Sequence, residues 1–153
     1  MIQRIQTIYL FLAVIFMSSL FLERTDLFKV DTSNPALLSE LEYYHDMVLD
    51  VYDQNLLIIL TIIALIFALF AIFLFRNRKL QIMLSRISLY SIVLLLLLVI
   101  YLTYTELQNL MDSINLGLKI GLILPVLAIL MLVMAIRSIK KDEKLVKSMD
   151  RLR

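Results

Sequence analysis

The sequence contains no cysteine, a single histidine and two glycines among its 153 residues. Without cysteine, disulfide bonds, thiolate metal sites and cysteine nucleophiles are excluded. His45 has no second histidine to pair with, and no serine–histidine arrangement accompanies it. The sequence therefore predicts a protein that is not an enzyme, with no catalytic residues, no cofactor and no metal ligands.

Apolar residues are present in unusual excess. They make up 61% of the chain, with a mean hydropathy of +0.91, whereas ordinary soluble domains contain about 45–50%. Four apolar runs, at residues 5–22, 56–75, 87–104 and 118–136, approach the roughly 20 residues that a membrane-spanning helix needs. The runs do not alternate as barrel strands do. The prediction is an all-α fold: a single membrane domain, residues 1–153, built as an integral membrane four-helix bundle.

The first apolar run has one feature of a signal peptide, because Arg4 precedes it. The end of the run, residues 16–21, is too bulky for a cleavage site of small residues, and charged residues follow at once. We therefore expect this run to be a retained transmembrane helix.

Twelve of the 15 basic residues lie in segments assigned to one side: Arg4 at the start, four at residues 76–86 in and just after a turn at residues 76–81, and seven in a tail at residues 137–153. The segments assigned to the other side carry Arg24, Lys29 and Lys119. The positive-inside rule then predicts a multi-pass membrane protein with both termini and the 76–81 turn in the cytoplasm.

The largest segment assigned outside is the loop at residues 23–55. Asn34 and Pro35 form a helix-start signal. Apolar side chains then recur at spacings of four and three, which predicts an amphipathic extracytoplasmic helix; they are Leu37, Leu41, Tyr44, Val48 and Val51. Acidic side chains form its polar face, and a divalent-cation site is the alternative interpretation; they are Glu42, Asp46, Asp50 and Asp53.

The second, third and fourth apolar runs contain no aspartate, glutamate or histidine. Proton and ion pathways through membranes normally use buried ionisable groups, so this argues against a proton-coupled transporter. The hydroxyls of Ser85, Ser88 and Ser91 are interpreted as packing groups that bond within the helices.

Small residues recur four apart in two places, Gly117 with Gly121 and Ala64 with Ala68. Such spacings let helix backbones approach closely. They predict a helix-packing face, either inside the chain's own bundle or against a partner subunit or second copy.

The basic residues assigned inside are candidate contacts for anionic lipid headgroups or for a protein partner, because each basic residue near such a surface contributes about 1 kcal/mol. No nucleic-acid partner is expected. The candidates are Arg4, Arg76, Arg78, Lys79, Arg137, Lys140, Lys141, Lys144, Lys147, Arg151 and Arg153.

Three stretches of the chain are recognisable: MIQRIQTIYL at residues 1–10, IFLFRNRKLQI at 72–82 and IKKDEKLVKSMDRLR at 139–153. They resemble a family of small four-span membrane proteins of Bacteroidota, domain of unknown function 4293. The resemblance implies an uncleaved first helix and an inner-membrane location, and it supplies no activity or catalytic residues. Because all three stretches fall on the side assigned to the cytoplasm, we expect the functional surface there.

The leading functional hypothesis is a non-enzymatic scaffold or accessory subunit of a membrane assembly, bound to a membrane protein or to a second copy of itself. One alternative is a membrane-embedded sensor or regulator whose acidic outer loop reads ions or envelope stress. Another is an oligomeric transporter of small molecules or lipids.

Overall fold

The computed structural model describes residues 2–22, 25–32, 44, 47–108 and 114–150. This part of the chain is mostly helical, as predicted. Its helices are α1 (Ile2–Ser18), α2 (Asn55–Phe73), α3 (Arg78–Leu107) and α4 (Ile120–Asp150), and a short 3-10 turn, Ser19–Phe21, follows α1. Its strands are β1 (Phe28–Thr32), β2 (Val48–Leu49) and β3 (Ile114–Leu118).

Each helix packs against two neighbours, so that α1 contacts α2 and α4, and α3 also contacts α2 and α4. The buried face of α1 follows spacings of three and four, through Leu10, Ala13, Met17 and Leu20. This is the stripe expected of a helix with one side in a core. Ala128, Leu132 and Ala135 supply the matching face of α4.

Large apolar side chains also cover the outside of the helices, where Phe70 is 55% exposed and Leu97 is 59% exposed. Apolar patches of this extent are unusual on soluble monomers. Within the described residues, three helices are long and apolar enough to cross a membrane: Asn55–Phe73, Arg78–Leu107 and Ile120–Val146. The apolar segment Ile5–Phe21 is shorter.

Two helices extend well beyond the apolar runs. α3 begins at Arg78 rather than at residue 87, and α4 continues from Ile120 to Asp150, through most of the basic tail. Asn77 caps α3, because its side-chain oxygen accepts a bond from the Leu80 amide at 3.4 Å. The tail up to residue 150 is thus a continuation of α4 and not a separate segment.

A three-stranded antiparallel sheet, which the sequence analysis did not predict, lies where α1 ends and α4 begins. The strand order is β2-β1-β3, with Phe28 opposite both Leu49 and Leu118. We call this end of the molecule the sheet end. The Lys119 amide donates to Leu27 O at 3.3 Å, so the sheet continues directly into the start of α4.

The predicted amphipathic helix of the outer loop is wrong over its described part, because Val48–Leu49 is a strand and residues 51–53 form a bend. Leu49 and Val51 are buried, while Val48 and Asp50 are partly exposed. That alternation has the two-residue period of a strand. Asn34, Pro35, Leu37 and Leu41 lie outside the described residues.

Tyr44 joins the sheet end to the helices. Its side chain is fully buried, and its hydroxyl lies 2.9 Å from Thr103 Oγ1 on α3. Thr103 Oγ1 itself donates to Val99 O, so Tyr44 is the donor of the shared bond. Burial raises the pKa of the Tyr44 phenol above its ordinary value of 10.0, so the proton is retained to higher pH than in the unfolded chain.

Candidate functional site at the basic end of the molecule

The opposite end of the molecule brings three separate segments together: the start of α1, the turn between α2 and α3, and the later part of α4. We call it the basic end. Their contacts converge on Asp142, to which Gln6 of α1 and Arg78 of α3 both donate hydrogen bonds. These segments overlap the three stretches that carry the family resemblance, although they lie far apart in sequence.

The bond between α1 and α4 at this end is polar and buried. Gln6 Nε2 donates to Asp142 Oδ2, and the two residues are 5% and 6% exposed. Gln6 continues the buried stripe of α1, and Asp142 follows Ile139 on the buried face of α4. Burying a carboxylate is unfavourable unless hydrogen bonds compensate it, so this pair must hold its geometry to contribute.

The bonding of Asp142 is incomplete within the described residues. Its Oδ1 atom is buried without a hydrogen-bond partner among them. Arg78 donates to the backbone carbonyl of Asp142 at 3.0 Å. Buried polar atoms are satisfied in the great majority of cases, so this oxygen is an exception. Sequence reasoning missed both Gln6 and Asp142.

A cleft of about 700 Å³ lies beside this cluster, between the α2–α3 turn and α4. One wall is formed by consecutive residues at the start of α3, and the other by α4. The lining residues are Arg76, Asn77, Arg78, Lys79, Glu143 and Val146. Three cations and one carboxylate therefore surround it, which makes the cleft suited to an anion.

The predicted basic residues are largely exposed at this end. Arg78 is half-buried. The side chains of Arg4 and Lys147, and the whole of Arg151 and Arg153, lie outside the part that the structure describes. The exposed ones are Arg76, Lys79, Arg137, Lys140, Lys141 and Lys144.

The two glycines do not share a helix face, because Gly117 lies in β3 and α4 begins only at Ile120. A Cβ atom added at Gly121 would lie 2.4 Å from Asp26 O and 2.5 Å from Thr25 O. The Gly121 amide donates to Asp26 O at 3.1 Å. Gly121 therefore packs against this chain's own backbone.

Ala64 and Ala68 are buried on α2, which packs against α3. Ser88 of α3 donates to Ala64 O at 2.8 Å, a bond between the two helices. Ser85 and Ser91 donate instead to carbonyls of their own helix. Small side chains on α2 thus admit a direct backbone contact from its neighbour.

The described acidic residues of the outer loop accept hydrogen bonds from backbone amides close to them in sequence. Asp53 Oδ2 accepts from the Asp50 amide, and Asp50 Oδ1 accepts from the Tyr52 amide, both at 2.6 Å. In the described ranges, no group of three or more metal-ligating side chains could hold an ion. Glu42, His45 and Asp46 lie outside those ranges.

Comparison with protein families gives one full-length match. The family described as domain of unknown function (DUF4293) matches residues 2–152. The chain belongs to the DUF4293 family. This confirms the resemblance drawn from the three short stretches, and the DUF4293 region includes both the sheet end and the basic end. Comparisons with curated proteins and with solved structures give no significant match.

Proposed function

We propose that this DUF4293 protein is a four-span protein of the bacterial inner membrane, with the basic end in the cytoplasm. We further propose that it acts without catalysis, as a scaffold or accessory subunit of a membrane assembly. The observation that carries the proposal is the convergence of the α2–α3 turn and the later part of α4 on one basic surface at one end of an otherwise apolar molecule.

The first support for four spans comes from contacts that α1 and the segment following it make with α4. Gln6 meets Asp142 at one end, and Asp26 O accepts from the Gly121 amide at the other. At 1.5 Å per residue, α4 rises about 32 Å between these two levels. The hydrocarbon core of a bilayer is about 30 Å thick. The segment from Gln6 to Asp26 therefore crosses the same layer as α4.

The orientation is supported by charge. The exposed cations of the α2–α3 turn and of α4 lie at one end, and at the other end Lys119 Nζ lies 4.0 Å from Asp26 Oδ2 in an ion pair. Tyr101 and Tyr104 are exposed on α3 near the sheet end. Tyrosine is enriched at membrane interfaces, and basic residues at the cytoplasmic one.

Exposed basic side chains on the later part of α4 support a role in assembly. The sides of the helices present apolar groups, which lipid can cover. Lys140, Lys141 and Lys144 are exposed on α4 beyond its apolar part, where a cytoplasmic or membrane partner can reach them.

The test is gentle extraction of the untagged protein from native membranes, followed by native mass measurement and identification of co-migrating proteins. Crosslinking in the membrane before extraction guards against dissociation. The variant K140Q/K141Q/K144Q removes the exposed cations of α4, and K119Q is the control at the sheet end. We expect a reproducible second protein that is lost in the triple variant and retained in the control.

A bare monomer or homo-oligomer after crosslinking would contradict the accessory-subunit role. It would then favour transport or sensing. Retention of the partner by the triple variant would show that the cations of α4 do not form the docking surface.

A further inference from the structure

The cleft at the basic end is lined by three basic side chains and is bounded on its other side by α4. Arg76, Arg78 and Lys79 come from the α2–α3 turn and the first residues of α3, and Glu143 and Val146 close the opposite wall. Arginine presents planar donors that match phosphate oxygens, and lysine adds a mobile point charge.

Among these three basic residues, Arg78 is held in place by a hydrogen bond to α4. It is half-buried, and its NH1 atom donates to Asp142 O at 3.0 Å. Because α4 anchors one edge of the guanidinium, less side-chain freedom remains to be lost when another edge binds an anion. Arg76 and Lys79 are exposed on the same stretch.

The start of α3 adds to this positive field. α3 is 30 residues long and begins at Arg78, so the positive end of its dipole lies at the cleft. The Asn77 side chain caps the Leu80 amide within the first turn. Anions bind readily at helix N-termini because amide groups there point outward.

The surroundings of the cleft distinguish a lipid from a soluble anion. Phe73 is the last residue of α2 and Phe75 lies in the turn that follows, and they are 71% and 60% exposed. Met83, in the second turn of α3, is 56% exposed. In a membrane protein such side chains contact acyl chains. A ligand that joins an anionic headgroup to apolar tails matches both surfaces at once.

We propose that the cleft between the α2–α3 turn and α4 binds the phosphate headgroup of an anionic phospholipid, with Arg76, Arg78 and Lys79 as donors. The site holds one lipid per chain and fixes it where α2, α3 and α4 meet. This rests on the membrane placement proposed above but not on any protein partner.

The experiment titrates the full-length protein, purified in a mild detergent, with phosphatidylglycerol or phosphatidylcholine and counts bound lipids by native mass spectrometry. We expect one phosphatidylglycerol to be retained per chain at concentrations where phosphatidylcholine is not. R76Q/K79Q should weaken this binding about tenfold or more, because each basic residue near an anionic headgroup raises affinity severalfold. This variant leaves Arg78 and its bond to Asp142 intact.

The matched control is R86Q/K119Q, which removes two positive charges outside the cleft lining and outside the residues assigned to binding. We expect it to change phosphatidylglycerol binding less than about threefold, since neither residue lines the cleft. An equal loss in both variants would overturn the site, because binding would then reflect diffuse charge. Equal retention of the two lipids would also overturn it.

Two further arms complete the test. Inorganic phosphate that displaces the lipid at equal concentration would overturn the lipid assignment in favour of a soluble anion. Val146→Trp places a bulky ring at the α4 wall of the cleft without changing its charge, and we expect lipid binding to weaken severalfold. If R76Q/K79Q loses its helical circular dichroism, this second variant decides the result. Because the assay uses purified protein, its outcome is independent of the orientation and partner proposed above.

Discussion

The two ends of the molecule are held together in different ways. At the sheet end, backbone groups bond to backbone groups: Leu27 N to Leu49 O, Val30 N to Met47 O, and Gly121 N to Asp26 O. At the basic end, side chains make the connections between helices, and they include a buried carboxylate with one oxygen unpartnered among the described residues.

This difference separates a structural cap from a binding surface. Backbone bonds in a sheet satisfy the polar groups of the loops between helices, so the sheet end can close over apolar residues such as Val30 and Leu49. The basic end leaves cations exposed around an open cleft. Stability is therefore expected to depend on the sheet end, and the proposed recognition on the basic end.

The largest expected effect lies at the sheet end. Gly121→Ala places a Cβ atom 2.4 Å from a backbone oxygen, so the loop at residues 25–26 has to move. We expect a loss of about 2–3 kcal/mol in the free energy of unfolding, as for other overpacked sites. The measurement is reversible denaturation in mixed micelles followed by circular dichroism.

Gly117→Ala is the control for this prediction. Its added Cβ would meet Lys29 O at 3.7 Å, an ordinary contact. We expect a change below about 0.5 kcal/mol, because one methyl group is accommodated without strain. Equal losses of unfolding free energy in the two variants would contradict the expectation that an added Cβ atom is tolerated at Gly117 but not at Gly121.

The next effect lies at the basic end. Gln6→Leu removes the donor to the buried Asp142 carboxylate, and we expect about 2 kcal/mol of destabilisation because an unsatisfied buried acceptor remains. Asp142→Asn keeps an acceptor for Gln6 without the buried charge, so its stability should equal or exceed that of the wild type. Both are measured in the same denaturation assay.

The double variant Q6L/D142L sharpens this test. Because both polar partners are replaced by apolar groups of similar size, it should be more stable than Q6L alone. Additive losses from the two positions would mean that the pair is not a coupled unit.

Tyr44→Phe should have a smaller effect. It removes the hydroxyl that donates to Thr103 while Thr103 keeps its own bond to Val99 O. We expect a loss of about 1 kcal/mol in the free energy of unfolding, typical of one hydrogen bond. No loss would indicate that the sheet end is not anchored to α3 through this contact.

The Tyr44 phenol also predicts a pH dependence. Its pKa is raised in the folded state above the ordinary value of 10.0, chiefly by burial. Above pH 10 the unfolded chain loses this proton before the folded chain does, so the stability contributed by Tyr44 is lost as pH rises. Between pH 9 and 11, Y44F should lose less stability than the wild type.

The smallest expected effects are at the three serines of α3, and Ser88 has the largest of them. Its hydroxyl bonds across to Ala64 O, so Ser88→Ala should cost about 0.5–1 kcal/mol in the same assay. Ser85→Ala and Ser91→Ala, which lose bonds within their own helix, should each cost less than about 0.5 kcal/mol. A larger loss at Ser85 than at Ser88 would contradict this ranking.

Helices could be predicted from the sequence where the signal is local and long. The apolar runs located all four helices, because a continuous apolar run of some 20 residues is typical of a membrane-spanning helix. Their ends were not predicted, since α3 and α4 continue past the apolar runs into polar residues. Capping by Asn77 was a local signal for the start of α3.

The sheet could not have been predicted in the same way. β1 pairs with β3, and Lys29 lies opposite Gly117, so the partner strand is remote in sequence and no local pattern identifies it. The short segment Val48–Leu49 fits a helical stripe and a strand equally well. Burial against the helices decides between them.

The buried contact between Gln6 and Asp142 could have been predicted from the periodicity of the two helices. Gln6 follows the same spacing as Leu10, Ala13 and Met17, and Asp142 follows Ile139 by three residues. Polar residues that continue an apolar stripe at matching ends of two helices indicate a buried contact. The cleft beside them depends on how α3 and α4 pack, which the sequence alone does not specify.

The central claim is that four helices cross the membrane and leave the basic end in the cytoplasm. Because the chain contains no cysteine, single cysteines at Gln3, Gln108 and Lys140 can be labelled with a membrane-impermeant maleimide in intact spheroplasts. We expect Q108C to react at once, and Q3C and K140C to react only after permeabilisation. Immediate labelling of Q3C would contradict the claim, because α1 would then not cross the membrane. Immediate labelling of K140C would also contradict it, because the basic end would then face outward.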